Sequence, residues 1–259
     1  MFVVEGRKSV GESIAADAAI ETVFVDMAAA TEADLELVAA AQRAGAVVTE
    51  VQPGVLDRVC DTVTPQPVAV TVRALDVSLT DMAARRPLLV AVLAGVADPG
   101  NAGSILRSIA AAGDGALVVC EGSVDLYNPK TVRSSAGAIF RVPIVKDAPQ
   151  QEIAGQLRRL GYRVFATSPS CGEPYTQADL SGPVAILLGS EAHGLPQAVA
   201  GAADATLSIP LAGGTESLGV AAAGAVMFFE SARQRRAAAG TAGHPASGTD
   251  PAARIAGAA

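Results

Sequence analysis

Four polar side chains punctuate glycine-rich loops in a chain that is otherwise small and apolar. Asn101 and Arg107 lie in "DPGNAGSILRSIAAAG" (98–113), Glu191 in "LLGSEAHGLP" (187–196) and Ser217 in "IPLAGGTESLGVAAAGAVMFFE" (209–230). A Gly-rich turn followed by a small-residue helix lets a chain approach a ligand closely. A carboxylate such as Glu191, between Gly189-Ser190 and Gly194, either binds something or caps the next helix. Each stretch also has a plainer reading. Asn101 suits the N-cap of the helix behind the Asp98-Pro99-Gly100 turn, with Arg107 on that helix's surface, and Ser217 is a natural N-cap in its own loop. Gly103 removes a side chain where something must come near, and His193 reads as a structural donor rather than a base.

Several chemistries are excluded by what the loops lack. There is no G-x-G-x-x-G dinucleotide fingerprint and no G-K-[ST] of a P-loop. Two histidines, without H-E-x-x-H, argue against a metal centre. Cys60, Cys120 and Cys171 form no C-x-x-C pair and read as small buried hydrophobes.

The elements that must carry these loops are legible as short β-branched runs alternating with helical segments. "FVVE" (2–5), "TVFV" (22–25), "VVTE" (47–50) and "VAVTV" (68–72) predict a small α/β domain over 1–75, and 76–87 reads as a linker. From Leu88 the strands become uniformly apolar: "LLVAVLAG", "ALVVC", "RVFAT", "VAILLG" and "ATLSI". Runs without alternation suit parallel strands covered on both faces, so 88–236 is expected to be a parallel sheet wrapped by helices. Ligands of such sheets bind at the loops that leave the strands, which is where the four polar residues stand. The segment 237–259, small and punctuated by Gly and Pro, is expected to be disordered.

Half of the 259 residues are hydrophobic, enough for a substantial core. No apolar run reaches the length of a membrane span and the N-terminus has no secretory signal pattern, so the expected compartment is the cytoplasm. A net charge of −7 opposes a nucleic-acid partner on average. Locally it does not, because Lys130, Arg133, Arg141 and Lys146 follow one another with no acid between Asp125 and Asp147, and Arg7 and Lys8 sit near the N-terminus. A solvated face is the alternative reading for both clusters.

In this order, "NAGSILR", "LGSEAHGL" and "IPLAGGTESLGVAAAGAV" resemble the three motifs of the SpoU/TrmH family, the ribose 2′-O-methyltransferases of the SPOUT class. "YNPKTVRSSAGAIFRVPI" (127–144) is similar to the same family, and the resemblance spans roughly 88–236. The opening "FVVEG" is similar to the ribosomal-protein-like substrate-binding domain of members that act on ribosomal RNA. The resemblance implies an α/β fold: a small N-terminal domain and a C-terminal SPOUT domain tied in a trefoil knot, acting as a homodimer with active sites at the subunit interface. It implies S-adenosylmethionine as cofactor, held largely by backbone at Leu188, Gly189, Ile209, Leu211 and Leu218, and no metal. Asn101, Arg107, Glu191 and Ser217 then correspond to the family's catalytic set, with Arg107 either an unusual base or, favoured because arginine stays protonated, the group that places the adjacent phosphate, and the others orienting Arg107 and the ribose. The implied substrate is RNA, 23S ribosomal RNA ahead of transfer RNA. One position departs from the pattern: members usually read Ser-Leu-Asn-Val where this chain reads Ser217-Leu218-Gly219-Val220. That departure leaves open a non-catalytic RNA-binding or assembly protein that keeps the cofactor pocket.

Overall fold

The computed structural model describes residues 1–60 and 65–240. The chain opens with β1 (Phe2–Glu5), α1 (Arg7–Ala15), β2 (Ile20–Val25), α2 (Glu32–Arg43), β3 (Val47–Glu50), α3 (Leu56–Val59) and β4 (Val68–Val72). Their strands form a sheet ordered β1-β4-β2-β3, in which β4 runs antiparallel to both neighbours and β2 runs parallel to β3. Val4, Val23, Val25 and Val70 point into the core with Val10 of α1, all fully buried. Helix α2 starts at a capping box, with Thr31 N and Oγ1 donating to Asp34 Oδ2 at 2.9 and 2.7 Å. Arg7 grips the same buried carboxylate from α1, Nε to Oδ1 at 2.8 Å and Nη2 to Oδ2 at 2.9 Å. The Arg7 guanidinium accordingly holds the Asp34 carboxyl down at about 2.

The segment expected as a linker is structured. It carries α4 (Leu79–Ala84), capped by Ser78, whose hydroxyl accepts from Asp81 N at 3.0 Å. Ahead of it, Val77 N donates to the Ile144 carbonyl at 2.8 Å, which pairs this stretch with the edge of the next sheet.

The rest of the described chain runs β5 (Leu89–Ala94), α5 (Pro99–Ala112), β6 (Gly115–Cys120), α6 (Pro129–Ser134), β7 (Ile144–Ala148), α7 (Ile153–Arg159), β8 (Arg163–Thr167), β9 (Glu173–Pro174), β10 (Val184–Gly189), α8 (Gln197–Ala200), β11 (Ala205–Ser208) and α9 (Val220–Gly240). The seven strands are ordered β7-β6-β5-β10-β8-β11-β9, with parallel pairing throughout. Every residue of β5 and β10 is buried, as their unbroken apolar sequence predicts for central strands covered on both faces. The edge strands β7 and β9 have no such signature: β7 carries Lys146 and Asp147, and β9 is two residues long. Charge and brevity are how edges avoid pairing with other chains, and they also hide an edge from a hydrophobicity pattern.

One face of this sheet packs on α5 and α9, through Ile105, Leu106, Ile109, Met227 and Phe228, in an apolar cluster continuous with that of the first sheet. The other face packs on Met82, Ile153, Leu157 and Val199. Across the junction of the two sheets Phe2 stacks on Tyr127, ring centroids 4.5 Å apart, while the Tyr127 hydroxyl accepts from Leu75 N at 2.6 Å and donates to Asp76 Oδ1 at 2.7 Å. Arg133 reaches buried Glu5 at 3.1 Å, Arg141 reaches Glu12 at 3.0 Å, and Lys146 lies over the Tyr127 ring. Two of the four cations of 130–146, Arg133 and Arg141, are thus consumed in joining the two sheets.

Two local expectations are corrected. Helix α9 continues to Gly240, because Arg235 anchors its last turns: Nη1 donates to Ser231 Oγ at 2.7 Å and Nη2 to the Gly113 carbonyl at 3.2 Å. The part of the expected disordered segment from 241 to 259 lies outside the described residues. Of the cysteines, only Cys120 is buried, which pushes its thiol up to about 12; Cys60 is half-buried and Cys171 exposed.

Candidate active site

Parallel strands deliver their outgoing loops to one edge of the sheet. Gly189 of β10 pairs beside Ala94 of β5, and β11 is one strand further along across β8, so the loops after residues 94, 189 and 208 leave from a common edge. These are the three loops that carry the polar residues singled out in the sequence.

The first loop becomes α5 at Pro99, which fills the first helical position where its missing N–H costs nothing. The N-cap is Asp98, not Asn101: the Asp98 carboxylate accepts from Asn101 N at 2.9 Å. Asp98 also meets Lys130 Nζ at 3.2 Å, and these bonds, Asn101 N first, hold its carboxyl below the usual range. Relieved of capping, the Asn101 side chain turns to the second loop and donates from Nδ2 to Glu191 Oε1 at 2.8 Å. The Glu191 carboxylate accepts longer bonds from Ala97 N and Asp98 N, at 3.3 and 3.4 Å. Partial burial pushes this carboxyl up, but the Asn101 amide and the backbone N–H groups outweigh it, so Glu191 titrates below its ordinary value and is ionised at neutral pH. Glu191 therefore serves the entrance to α5 rather than capping α8. His193 is exposed; its backbone N donates to Ser190 Oγ at 3.0 Å, and its imidazole holds none of this geometry.

Glycines set how closely the loops pack. A Cβ on Gly189 would lie 2.2 Å from the carbonyl carbon of Gly194, so the hairpin-like turn closed by Ser190 and Gly194 folds flat over the end of β10. A Cβ on Gly103 would lie 1.9 Å from Ser134 Oγ and 2.8 Å from Ser135 N. What comes near Gly103 is thus α6, in the segment "KTVRSSAGA" that precedes β7.

The third loop contains Ile209, Leu211, Ser217 and Leu218. Outside the Gly213-Gly214 turn, the backbone from Leu211 to Leu218 makes no hydrogen bond to any other described backbone segment. Its N–H and C=O groups are left for solvent or a ligand. Leu218 is 37% exposed beside them, and Leu188 is buried under α9, within 3.1 Å of where a Cβ on Gly224 would stand. Ser217 caps no helix. α9 begins three residues later, and the carbonyl that accepts the first helical bond, from Ala223 N at 3.0 Å, is that of Gly219. Gly219 is therefore at the cap and not inside the helix, where glycine is only a few tenths of a kcal/mol worse than asparagine.

The structure brings Asn101 and Glu191 together and leaves Arg107 apart. Six residues along α5 carry Arg107 about 9 Å up the axis and about 240° around it. Its guanidinium opens into a different cleft, lined also by Arg85, Arg86 and Arg141. Asp98 and Lys130, read in the sequence only as part of a turn and of a basic cluster, stand beside the Asn101–Glu191 contact. The Asp-Pro pair was a signal for the first, since a capping residue followed by proline marks a helix start. Among the described residues no group of three or more potential ligands is placed to hold a metal ion.

A parallel α/β sheet whose outgoing loops form a polar site, joined to a small sheet that packs on α6, defines a two-part α/β protein with its candidate site at one sheet edge. The chain belongs to the SpoU rRNA methylase family: the family model matches residues 88–229, and the RNA 2′-O ribose methyltransferase substrate-binding model matches residues 3–77. It is 30% identical over 228 residues to the 23S rRNA (guanosine(2553)-2′-O)-methyltransferase RlmP of Bacillus subtilis, covering 88% of this chain and 87% of that one. It is 32% identical over 240 residues to the 23S rRNA (guanosine-2′-O-)-methyltransferase RlmB of Xanthomonas axonopodis, covering 90% and 96%. Among solved structures, the SpoU methyltransferase AviRb from Streptomyces viridochromogenes in complex with the cofactor AdoMet is similar with a TM-score of 0.81 and 28% identity over 91% of this chain and 90% of that one.

Proposed function

We propose that this chain transfers a methyl group from S-adenosylmethionine to a ribose 2′-hydroxyl of RNA, with 23S ribosomal RNA as the substrate. The observation that carries the reading is the Asn101–Glu191 contact at the loop edge, 2.8 Å long and made between two of the three motifs. The donor set fits the cofactor. Unbonded backbone groups between Leu211 and Leu218, beside Ile209 and the exposed Leu218, offer directional hydrogen bonds to an adenosine and apolar cover without a charged side chain. Residues Leu188, Gly189, Ile209, Leu211 and Leu218 would hold it, and when bound it supplies an electrophilic methyl group on a sulfonium.

A ribose hydroxyl is a poor nucleophile and needs orientation and help in losing its proton. In this reading Glu191, ionised and fixed by Asn101, holds the entrance of α5, and Ser217 contacts the ribose from the third loop. Arg107 stays protonated and places the neighbouring phosphate. Its separation from Asn101 along α5 supports a homodimer in which Arg107 serves the site of a second copy. Phe229, 44% exposed on α9, offers an apolar surface for that copy. The position of β10 between β5 and β8 supports a chain that returns to the middle of its sheet through a trefoil knot. Residues 1–75 would bring the RNA and 88–236 transfer the methyl, in the cytoplasm where that RNA is made; no described helix is long and apolar enough to cross a membrane.

The test is transfer of labelled methyl from S-adenosylmethionine into separated 23S, 16S and transfer RNA from cells lacking the protein. Alkali-resistant label in 23S RNA is expected. Label in transfer RNA alone moves the substrate. No label in any RNA, with cofactor binding confirmed on the same preparation, replaces this reading by the non-catalytic one that Gly219 motivates.

A further inference from the structure

The arginines of this acidic chain are unequally used. Arg7, Arg73, Arg133, Arg141, Arg158 and Arg233 each lie within ion-pair distance of a carboxylate. Arg85, Arg86 and Arg107 have no ion-pair or side-chain hydrogen-bond partner among the described residues, and all three open onto one cleft of about 640 Å³. Arg141 adds a fourth guanidinium, shared with Glu12 at 3.0 Å, and Asp114 is the one acid on the lining.

The cleft is built from three separate elements. Arg85 terminates α4, and Arg86 follows it in a left-handed conformation, φ 52°, that a non-glycine residue adopts at a cost of roughly 1–2 kcal/mol. Arg85 and Arg86 of this turn and Arg107 of α5 line the same cleft. Ala110, Ala111 and Pro143 supply apolar lining to the same cleft. Three guanidinium groups on one cleft, with Asp114 as the one acid lining it, leave an excess of positive charge that repels itself, although in a chain of net charge −7 further acids to neutralise it were available. A ligand with repeated negative charge resolves that repulsion. Planar guanidinium forks match phosphate oxygens two at a time, and an apolar lining suits ribose and base edges.

We propose that this cleft is the track of the RNA backbone, in which Arg85 and Arg86 grip phosphates adjoining the one that Arg107 places. The inference rests on the methyl-transfer reading, with Arg107 at the site of a second copy, for the identity of the strand; the phosphate chemistry follows from the cleft itself. It puts the joining segment, so far only a connection between two sheets, in contact with substrate.

The experiment measures binding of a fluorescein-labelled single-stranded RNA of about 12 nucleotides, within the usual site size of such grooves, across a range of salt. For Arg85→Gln/Arg86→Gln the plot of log affinity against log salt should flatten by roughly 0.7 for each phosphate no longer neutralised, with affinity at physiological salt falling about tenfold. Arg85→Lys/Arg86→Lys should keep most of the slope, since the charges remain. Asp114→Asn should tighten binding by a fewfold; Asp114 has φ 51°, a conformation that asparagine tolerates well, so a gain here cannot come from misfolding. Arg159→Gln, one charge removed from α7, should leave the slope unchanged. Absence of RNA binding by the wild type, an unchanged slope in the double variant, or an equal loss in Arg159→Gln would each overturn the proposal. Labelled methyl transfer by the same preparations separates the two readings: salt-dependent binding that disappears in the double variant, with no methyl transfer by the wild type, retains the track and rejects the enzyme.

Discussion

Asn101 Nδ2 and Glu191 Oε1 lie 2.8 Å apart across 90 residues of chain, and their bond ties the start of α5 to the loop that leaves β10. Because Asp98 already caps the helix, the Asn101 amide is free to direct its donor at an ionised carboxylate. Bonds to charged groups contribute about 1.5–3 kcal/mol.

Replacing Glu191 by Gln keeps the shape and removes the charge that makes this bond strong. We expect kcat to fall roughly 10- to 100-fold, the rate equivalent of that energy, with S-adenosylmethionine affinity little changed. Asn101→Ala, which removes the bond outright, should cost at least as much, and the double variant should be no worse than Asn101→Ala alone, because both act on the same bond. Steady-state kinetics of the three variants checks this; strictly multiplicative losses would mean that the two residues act separately. Since the Glu191 carboxyl titrates below its ordinary value, the rate should not depend on its ionisation at neutral pH.

Gly103 leaves no room for a side chain. An alanine methyl would meet Ser134 Oγ at 1.9 Å, and rotating that hydroxyl away does not relieve the 2.8 Å approach to Ser135 N. Gly103→Ala should force α5 and α6 apart and destabilise the protein by about 1–3 kcal/mol. Urea unfolding measures it, and a variant as stable as wild type would show that the helices part freely.

At Gly219 the opposite holds, because a Cβ there meets nothing within 4 Å and the backbone is not left-handed. Gly219→Asn should therefore be accommodated, adding a few tenths of a kcal/mol as a better N-cap. If the amide also supports the reacting groups, turnover rises; one oriented donor is worth about 2–4 kcal/mol in the transition state. Thermal unfolding separates the first effect from the second, and an unchanged turnover removes the supporting role.

The first sheet carries its own acid-sensitive contact. The Asp34 carboxyl, held at about 2 against an ordinary 3.8 chiefly by the hydrogen bond from Arg7, gains stability from being ionised in the folded state. That contribution is complete above the unfolded value and is lost as pH falls through the folded one. The melting temperature of the wild type should exceed that of Asp34→Asn most above about pH 4, and the gap should close towards about pH 2. A constant gap would mean that the charge contributes nothing beyond the hydrogen bonds an amide can imitate.

Taken alone, the sequence determined the elements and the family. Strands covered on both faces must be apolar throughout, so β5, β6, β8 and β10 are written plainly, and the three loop motifs identify the family residue by residue. It also showed that something must come close at Gly103, because only glycine omits a side chain. The tertiary structure decided the partners. A helical period tells which side of α5 a residue occupies but not what lies opposite. Asn101 could thus be read as a cap until Asp98 was seen to fill that role, and Arg107 could be grouped with Glu191 although it faces another cleft. The charges of 130–146 read as a solvated face first and as an RNA surface second. Folding brought Glu5 and Glu12, more than a hundred residues earlier, against Arg133 and Arg141. Ion pairs form wherever the packing of two sheets puts opposite charges together, and no local pattern in a chain records that meeting.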